Sequence, residues 1–199
     1  MITSGISSVT KEIYATISVI LTFCAFGPYI SSILRGATKP HVFSWIIWGA
    51  STFVVYLAQL SDGGGVGAWP IGLSGIISLF VALLAYFMKS DSSITRADRI
   101  FFTAAMGALP LWYFTSDPLS AVITLTAVDL IGFGPTFRKA YGEPFDEQLR
   151  LFLIIALRNI TSIAALEHYS LTTTLFPTAI AVACVIFTIM VAYRRRALT

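Results

Sequence analysis

Charge is scarce in this 199-residue chain: Asp, Glu, Lys and Arg together make up 12% of it, about half the share of an ordinary soluble domain. What charge there is sums to +3 and is scattered among apolar segments. That leaves no basic footprint for a nucleic-acid partner. Cysteine is nearly absent. Cys24 and Cys184 both stand in apolar runs, where a thiol behaves as a small hydrophobe, so a disulfide framework is excluded. With two histidines and no Cys/His cluster, no metal site and no cofactor are expected. The start of the chain has no basic segment followed by a small-residue cleavage site, so no signal peptide is expected either. What the chain does have is apolar side chain: 56% of residues, with a mean hydropathy of +0.81. A soluble domain of roughly 150 residues still leaves about 30% of its surface in water. Apolar content this high calls for a bilayer as solvent.

A spanning helix needs about 17–25 mostly apolar residues. Seven stretches qualify: Ile13–Leu34, Val42–Leu60, Ala68–Met88, Ile100–Phe114, Leu119–Phe137, Leu149–Leu166 and Leu171–Tyr193. Gly36 with Pro40 separates the first pair, and the Asp62-Gly63-Gly64-Gly65 run separates the second. Asp117 followed by Pro118 supplies a cap and a first-turn proline for the fifth. The fourth is the shortest and is interrupted by Pro110. Basic residues fix the orientation, because they are held on the cytoplasmic side. Of the thirteen Lys and Arg residues, all but Lys11 and Arg158 fall after helices one, three and five or in the tail Arg194–Arg196. The expectation is a multi-pass protein of the cell membrane with its N-terminus outside and its C-terminus cytoplasmic.

The chain also repeats itself. Phe26-Gly27-Pro28 and Phe133-Gly134-Pro135 stand 107 residues apart. The same spacing relates Trp69-Pro70 to Phe176-Pro177, Phe80 to Phe187, and Ala85-Tyr86 to Ala192-Tyr193. Two three-helix units therefore align without a gap, and helix four is the linker that lets both run in the same direction. The expected fold is all-α and integral to the membrane, with seven transmembrane helices forming two parallel repeats. Residues 1–90 form the first bundle, 91–117 the linker and 118–199 the second bundle. Parallel repeats with a site at their interface are an established transporter plan.

This layout resembles the SWEET and PQ-loop superfamily. The resemblance lies in the prolines of helices one and five and in Gly27-Pro28-Tyr29-Ile30, Arg35, Thr38-Lys39 and Phe43-Ser44-Trp45. Tyr29 and Thr136 stand where that family has glutamine. Trp69-Pro70-Ile71-Gly72-Leu73 also resembles the nicotinamide riboside transporters, which share the seven-helix plan. The resemblance implies transport of a small polar metabolite (a sugar, amino acid or vitamin-like molecule) through a central site. It also implies that asparagine and tryptophan line that site, on helices three and seven in the family. Here the asparagine, Asn159, is on helix six.

Ionisable residues inside the hydrocarbon are functional candidates by default. Asp129 and Arg158 each fall roughly 14–15 Å from the nearer surface of a core about 30 Å thick. Pairing with each other would explain how both are tolerated, and the two readings are a salt bridge of the fold and a working site. In the working site, Asp129 takes up a proton or cation and Arg158 holds an anionic or polar substrate. Their partners in the first repeat are Thr22 and Ser51, so the charges exist in one half only. Asn159 is either a ligand contact or an interhelical clamp. Trp45 and Trp48 share a face of helix two. Trp45 suits the interfacial belt, and Trp48, being deeper, suits either stacking on a substrate ring or packing. Pro28 with Gly27 and Pro135 with Gly134 would bend their helices, as hinges for alternating access or as fixed kinks.

Two other classes were weighed. Gly72-Leu73-Ser74-Gly75 matches the GxSG of rhomboid proteases, with His168 as the histidine; the small residues serve equally for close helix packing. A receptor or cargo-binding protein on the same architecture would use the basic inner face and Arg194–Arg196. No lysine falls in helix seven, which sets aside a retinal protein. The reading is a transporter without enzymatic activity, its partners a small-molecule substrate and the lipid bilayer, and a homo-oligomer is left open.

Overall fold

A computed structural model describes residues 2–37, 40, 42–88, 96–142, 144–146 and 149–198. Among these it is all-helical, with α1 at Ile2–Leu34, α2 at Val42–Ser61, α3 at Trp69–Phe87, α4 at Arg96–Thr115, α5 at Pro118–Gly142, α6 at Leu149–Ala164 and α7 at Leu171–Leu198. Short 3-10 turns lie at Gly65–Ala68 and Pro144–Asp146. Four stretches are long and apolar enough to cross a bilayer: Ser8–Leu34, Val42–Ser61, Gly65–Phe87 and Leu171–Leu198. Pro118–Phe133 is a shorter apolar stretch. The chain is thus built as a membrane protein by the length and composition of its helices. Among the expected residues, Thr38, Lys39 and the basic Lys89 lie outside the described ones. So do the side chains of Pro135, Thr136, Arg138 and Lys139 and the surroundings of Gly134.

The helix ends follow local chemistry. Asp117 Oδ1 accepts the Leu119 N–H at 3.0 Å, an N-cap in front of Pro118, whose missing N–H would be unsatisfied there in any case. Ser170 and Thr173 cap α7 reciprocally: Ser170 Oγ accepts from Thr173 N at 3.2 Å, and Thr173 Oγ1 accepts from Ser170 N at 2.9 Å. α1, α4 and α7 continue through Pro28, Pro110 and Pro177. A proline inside a helix frees the carbonyl four residues earlier. For Pro177 that carbonyl belongs to Thr173, and the fully buried Gln59 of α2 fills it, with Nε2 donating at 2.6 Å.

α3 packs against both α1 and α2, and α7 packs against both α5 and α6. α1 lies against α6 and α2 against α5, while α4 rests on α5 and α2. The Gly72–Gly75 segment faces α2 so tightly that a Cβ on Gly72 would stand 2.7 Å from the Tyr56 ring, and one on Gly75 2.8 Å from Phe53 N. These glycines let two helices approach to backbone contact. The end of the bundle holding the Gly65–Ala68 turn and the α6–α7 connection is called the upper end below. The main apolar core runs through α2, α3, α5, α6 and α7, including Val55, Ile71, Leu125, Ala156, Phe176 and Ile180. Two smaller clusters sit towards the lower end. One joins α1, α2 and α3 around Ile33 and Val81, and the other joins α5, α6 and α7 around Phe187 and Val191.

Candidate functional site

Most helices carry buried polar residues in otherwise apolar runs, and these gather where the helices of the first and second halves of the chain cross. At the α2–α5 crossing Asp129, 6% exposed, accepts from Ser51: its Oδ1 lies 3.0 Å from Ser51 Oγ. The same hydroxyl lies 3.1 Å from the Trp48 carbonyl. A serine has one proton to donate. It therefore serves either the carboxylate or the Trp48 carbonyl, and in the second case the proton joining Ser51 to Asp129 must sit on Asp129. The arrangement can thus register a proton on Asp129 through the direction of one hydrogen bond. Trp48 completes this corner, because its indole nitrogen would lie 3.4 Å from a Cβ placed on Gly132 of α5.

At the α1–α6 crossing the buried Ser18 donates to the Arg158 carbonyl at 2.8 Å, and Thr161 Oγ1, 3.0 Å from both the Leu157 and the Arg158 carbonyls, shares its one proton between them. Thr22, the repeat partner of Asp129, lies one turn from Ser18 and bonds back to the Ser18 carbonyl. The Arg158 side chain is buried. Its Nη1 has no hydrogen-bond partner, and neither has Asn159 Oδ1 on the next residue. A buried polar atom without a partner costs about 1–3 kcal/mol, more when charged. A donor and an acceptor left without partners on successive residues of α6 are groups that a polar ligand could satisfy.

The Asp129–Arg158 pair that the sequence suggests is not formed. No ion pair joins the two among the described residues, and Asp129 is bonded to Ser51 instead. The reason is topological: α7 contacts both α5 and α6, and the two charges are carried on separate crossings. Asn159 is also not an interhelical clamp through its amide, whose Nδ2 donates to Ile155 in its own helix at 2.9 Å. Trp45 belongs to an aromatic group rather than to an isolated belt position. Its ring centre is 5.1 Å from Tyr29, 6.2 Å from Phe26 and 5.6 Å from Trp48, so it links α1 to the Trp48 corner. Gly27 and Pro28 are exposed, and nothing lies within 4 Å of a Cβ on Gly27. Pro135 and Gly134 fall within the span of α5. Ser74 is buried, while His168 Nδ1 is engaged 2.9 Å from the Asp62 carbonyl.

Ser18 and Gln59 were not anticipated as parts of these contacts. The available signal was a polar residue in the middle of an apolar helix, and for Ser51 its repeat position opposite Arg158. Compared with protein-family models, curated proteins and solved structures, the chain finds no match.

Proposed function

We propose that the chain is a seven-helix transporter in the manner of the SWEET and PQ-loop plan. Residues 1–90 and 118–199 act as two parallel three-helix bundles joined by α4, and they rock about a site between them to pass a small polar metabolite. The observation that carries this reading is the paired crossing of helices. In each half the third helix lies between the first two, and α1 meets α6 just as α5 meets α2. A shift of 107 residues exchanges one crossing for the other. It also brings Ser51 onto Arg158, the residues that supply the hydrogen-bonding atoms at the two crossings. In this reading Arg158 Nη1 and Asn159 Oδ1 receive the polar end of the solute, Trp48 and Trp45 flank it, and Asp129 couples its movement to a proton or cation. Pro28 and Pro135 are the hinges. The lower end carries Arg35, Arg96, Arg99, Arg150 and Arg194–Arg196, so it faces the cytoplasm by the positive-inside rule and the N-terminus lies outside.

The deciding experiment uses purified chain in detergent and in sealed proteoliposomes. A thermal-shift panel comprising a monosaccharide, a neutral amino acid, a monocarboxylate and a nucleoside identifies a ligand, because binding to the native state raises its apparent stability. The same compound, radiolabelled, is expected to enter the liposomes in a saturable manner. Saturable binding without flux would instead make the protein a membrane receptor or cargo binder.

A further inference from the structure

The two upper connections of the bundle are bonded to one another more heavily than solvent-facing turns require. Glu167 N donates to the Gly64 carbonyl at 3.2 Å, and Val66 N donates back to Glu167 Oε1 at 3.3 Å. Ser170 Oγ donates to Asp62 Oδ2, and His168 Nδ1 sits 2.9 Å from the Asp62 carbonyl. Below these, Ser162 Oγ donates to the Gly67 carbonyl at 2.7 Å, and Gln59 fills the Thr173 carbonyl that Pro177 leaves free. From α1, Lys11 Nζ donates to the Glu167 carbonyl at 3.3 Å. Every one of these bonds joins a residue of the first unit to a residue of the second. Among the described residues, the contacts at the lower end fall differently. The two apolar clusters there each stay within one unit. Arg194 and Arg195 donate to the Tyr141 and Pro144 carbonyls, which belong to their own unit.

We propose that connections 61–68 and 164–173 form a latch that holds the upper mouth shut, so that this conformation is the upper-closed state and opening requires the whole set of inter-unit bonds to part together. The proposal rests on the reading of the chain as two units that rock. Several of its bonds are solvent-exposed, and exposed bonds and ion pairs contribute little individually. Gln59 Oε1 is buried without a partner, which weakens the closed state further. The latch is therefore strong as a set and weak bond by bond, as a gate that opens in each cycle must be.

The test has two arms. In the first, hydrogen exchange is followed in nanodiscs for the amides of Val66 and Glu167, which lie in different connections. Asp62→Ala and Ser170→Ala, made separately, are each expected to speed exchange at both amides together by at least tenfold. Faster exchange confined to the connection that carries the substitution would overturn the latch. In the second arm, a Cβ on Gly63 would lie 3.5 Å from His168 Cβ, within the span of a disulfide. Gly63→Cys with His168→Cys, in a Cys24→Ala background, should therefore cross-link on oxidation. Because Gly63 has a φ of 76°, where any side chain adds strain, the reduced double variant is the reference for every comparison. Exchange at both connections should then slow, and uptake of the ligand identified above should fall at least tenfold and return on reduction. Uptake that persists in the cross-linked protein also overturns the latch while leaving transport intact. Concerted exchange in a chain that shows no uptake in any form supports the latch and removes the transport reading.

Discussion

At the α2–α5 crossing a hydroxyl meets a carboxylate, Ser51 with Asp129. At the α1–α6 crossing a hydroxyl meets a main-chain oxygen, Ser18 with Arg158, and the Arg158 guanidinium is left with a free nitrogen. The two crossings occupy equivalent places in the repeat, yet only the second half of the chain supplies the charges. The 107-residue spacing of the sequence relates the two crossings, and the buried residues it superimposes differ in chemistry: Thr22 with Asp129, and Ser51 with Arg158. The crossing that keeps its polar atoms satisfied is suited to hold the bundles in register. The crossing that leaves them unsatisfied is suited to bind.

Removing Arg158 is expected to have the largest effect. If its free Nη1 contacts the ligand, Arg158→Ala should weaken ligand binding by about 10- to 100-fold, the equivalent of a lost hydrogen bond to a charged group, with the thermal midpoint of the unliganded protein nearly unchanged. If Arg158 only supports the fold, the same variant loses stability and keeps its affinity. Isothermal titration and unfolding of one preparation separate the two outcomes. Next in size is Asp129→Asn, which keeps an acceptor for Ser51 but cannot carry the charge. Uptake driven by a proton gradient should fall to about the rate without one, while ligand exchange at equilibrium continues. Gradient-driven uptake that survives the substitution removes Asp129 from coupling.

A smaller difference should appear between the two serines themselves. Ser51→Ala strips a buried carboxylate oxygen of its donor, whereas after Ser18→Ala the Arg158 carbonyl still accepts from Thr161. Reversible unfolding in mixed micelles should give a loss of about 1–2 kcal/mol for the first and about 0.5 kcal/mol for the second. Equal losses would mean that the crossings do not differ as described. That difference was not legible in the letters. Hydropathy and punctuation placed α2 and α6 where the apolar runs begin, and Asp117 caps α5 as expected. However, α1 begins at Ile2 rather than Ile13, and among the described residues four stretches, not seven, are long and apolar enough to span a bilayer. Counting 1.5 Å per residue put Asp129 and Arg158 well inside their helices, and both are buried in the bundle. Depth along a helix says nothing about which neighbour a side chain meets, however. Two charges at one depth looked like a pair because nothing in a linear pattern reveals that α7 contacts both of their helices. The Gln59–Thr173 bond was hidden for the same reason, although Pro177 announces a free carbonyl and a lone glutamine in an apolar helix announces a donor. The Gly72–Gly75 motif was readable in both of its senses, and the packing sense is the one the glycines serve against Tyr56 and Phe53.

The last comparison is between the first hinge and the site. Pro28 is exposed and Gly27 has an empty surrounding, so Pro28→Ala disturbs little packing and, by removing the cost of a helix-interior proline, should raise the unfolding free energy by about 1–3 kcal/mol. Restoring the N–H lets it bond the Cys24 carbonyl and straightens that turn of α1. If the kink is only a shape, ligand affinity and uptake rate both stay as they were. If α1 bends there as the bundles rock, affinity stays constant while uptake slows several-fold, because the extra backbone bond must break in every cycle. Measuring affinity and initial uptake rate on the same preparation separates a moving joint from a fixed bend.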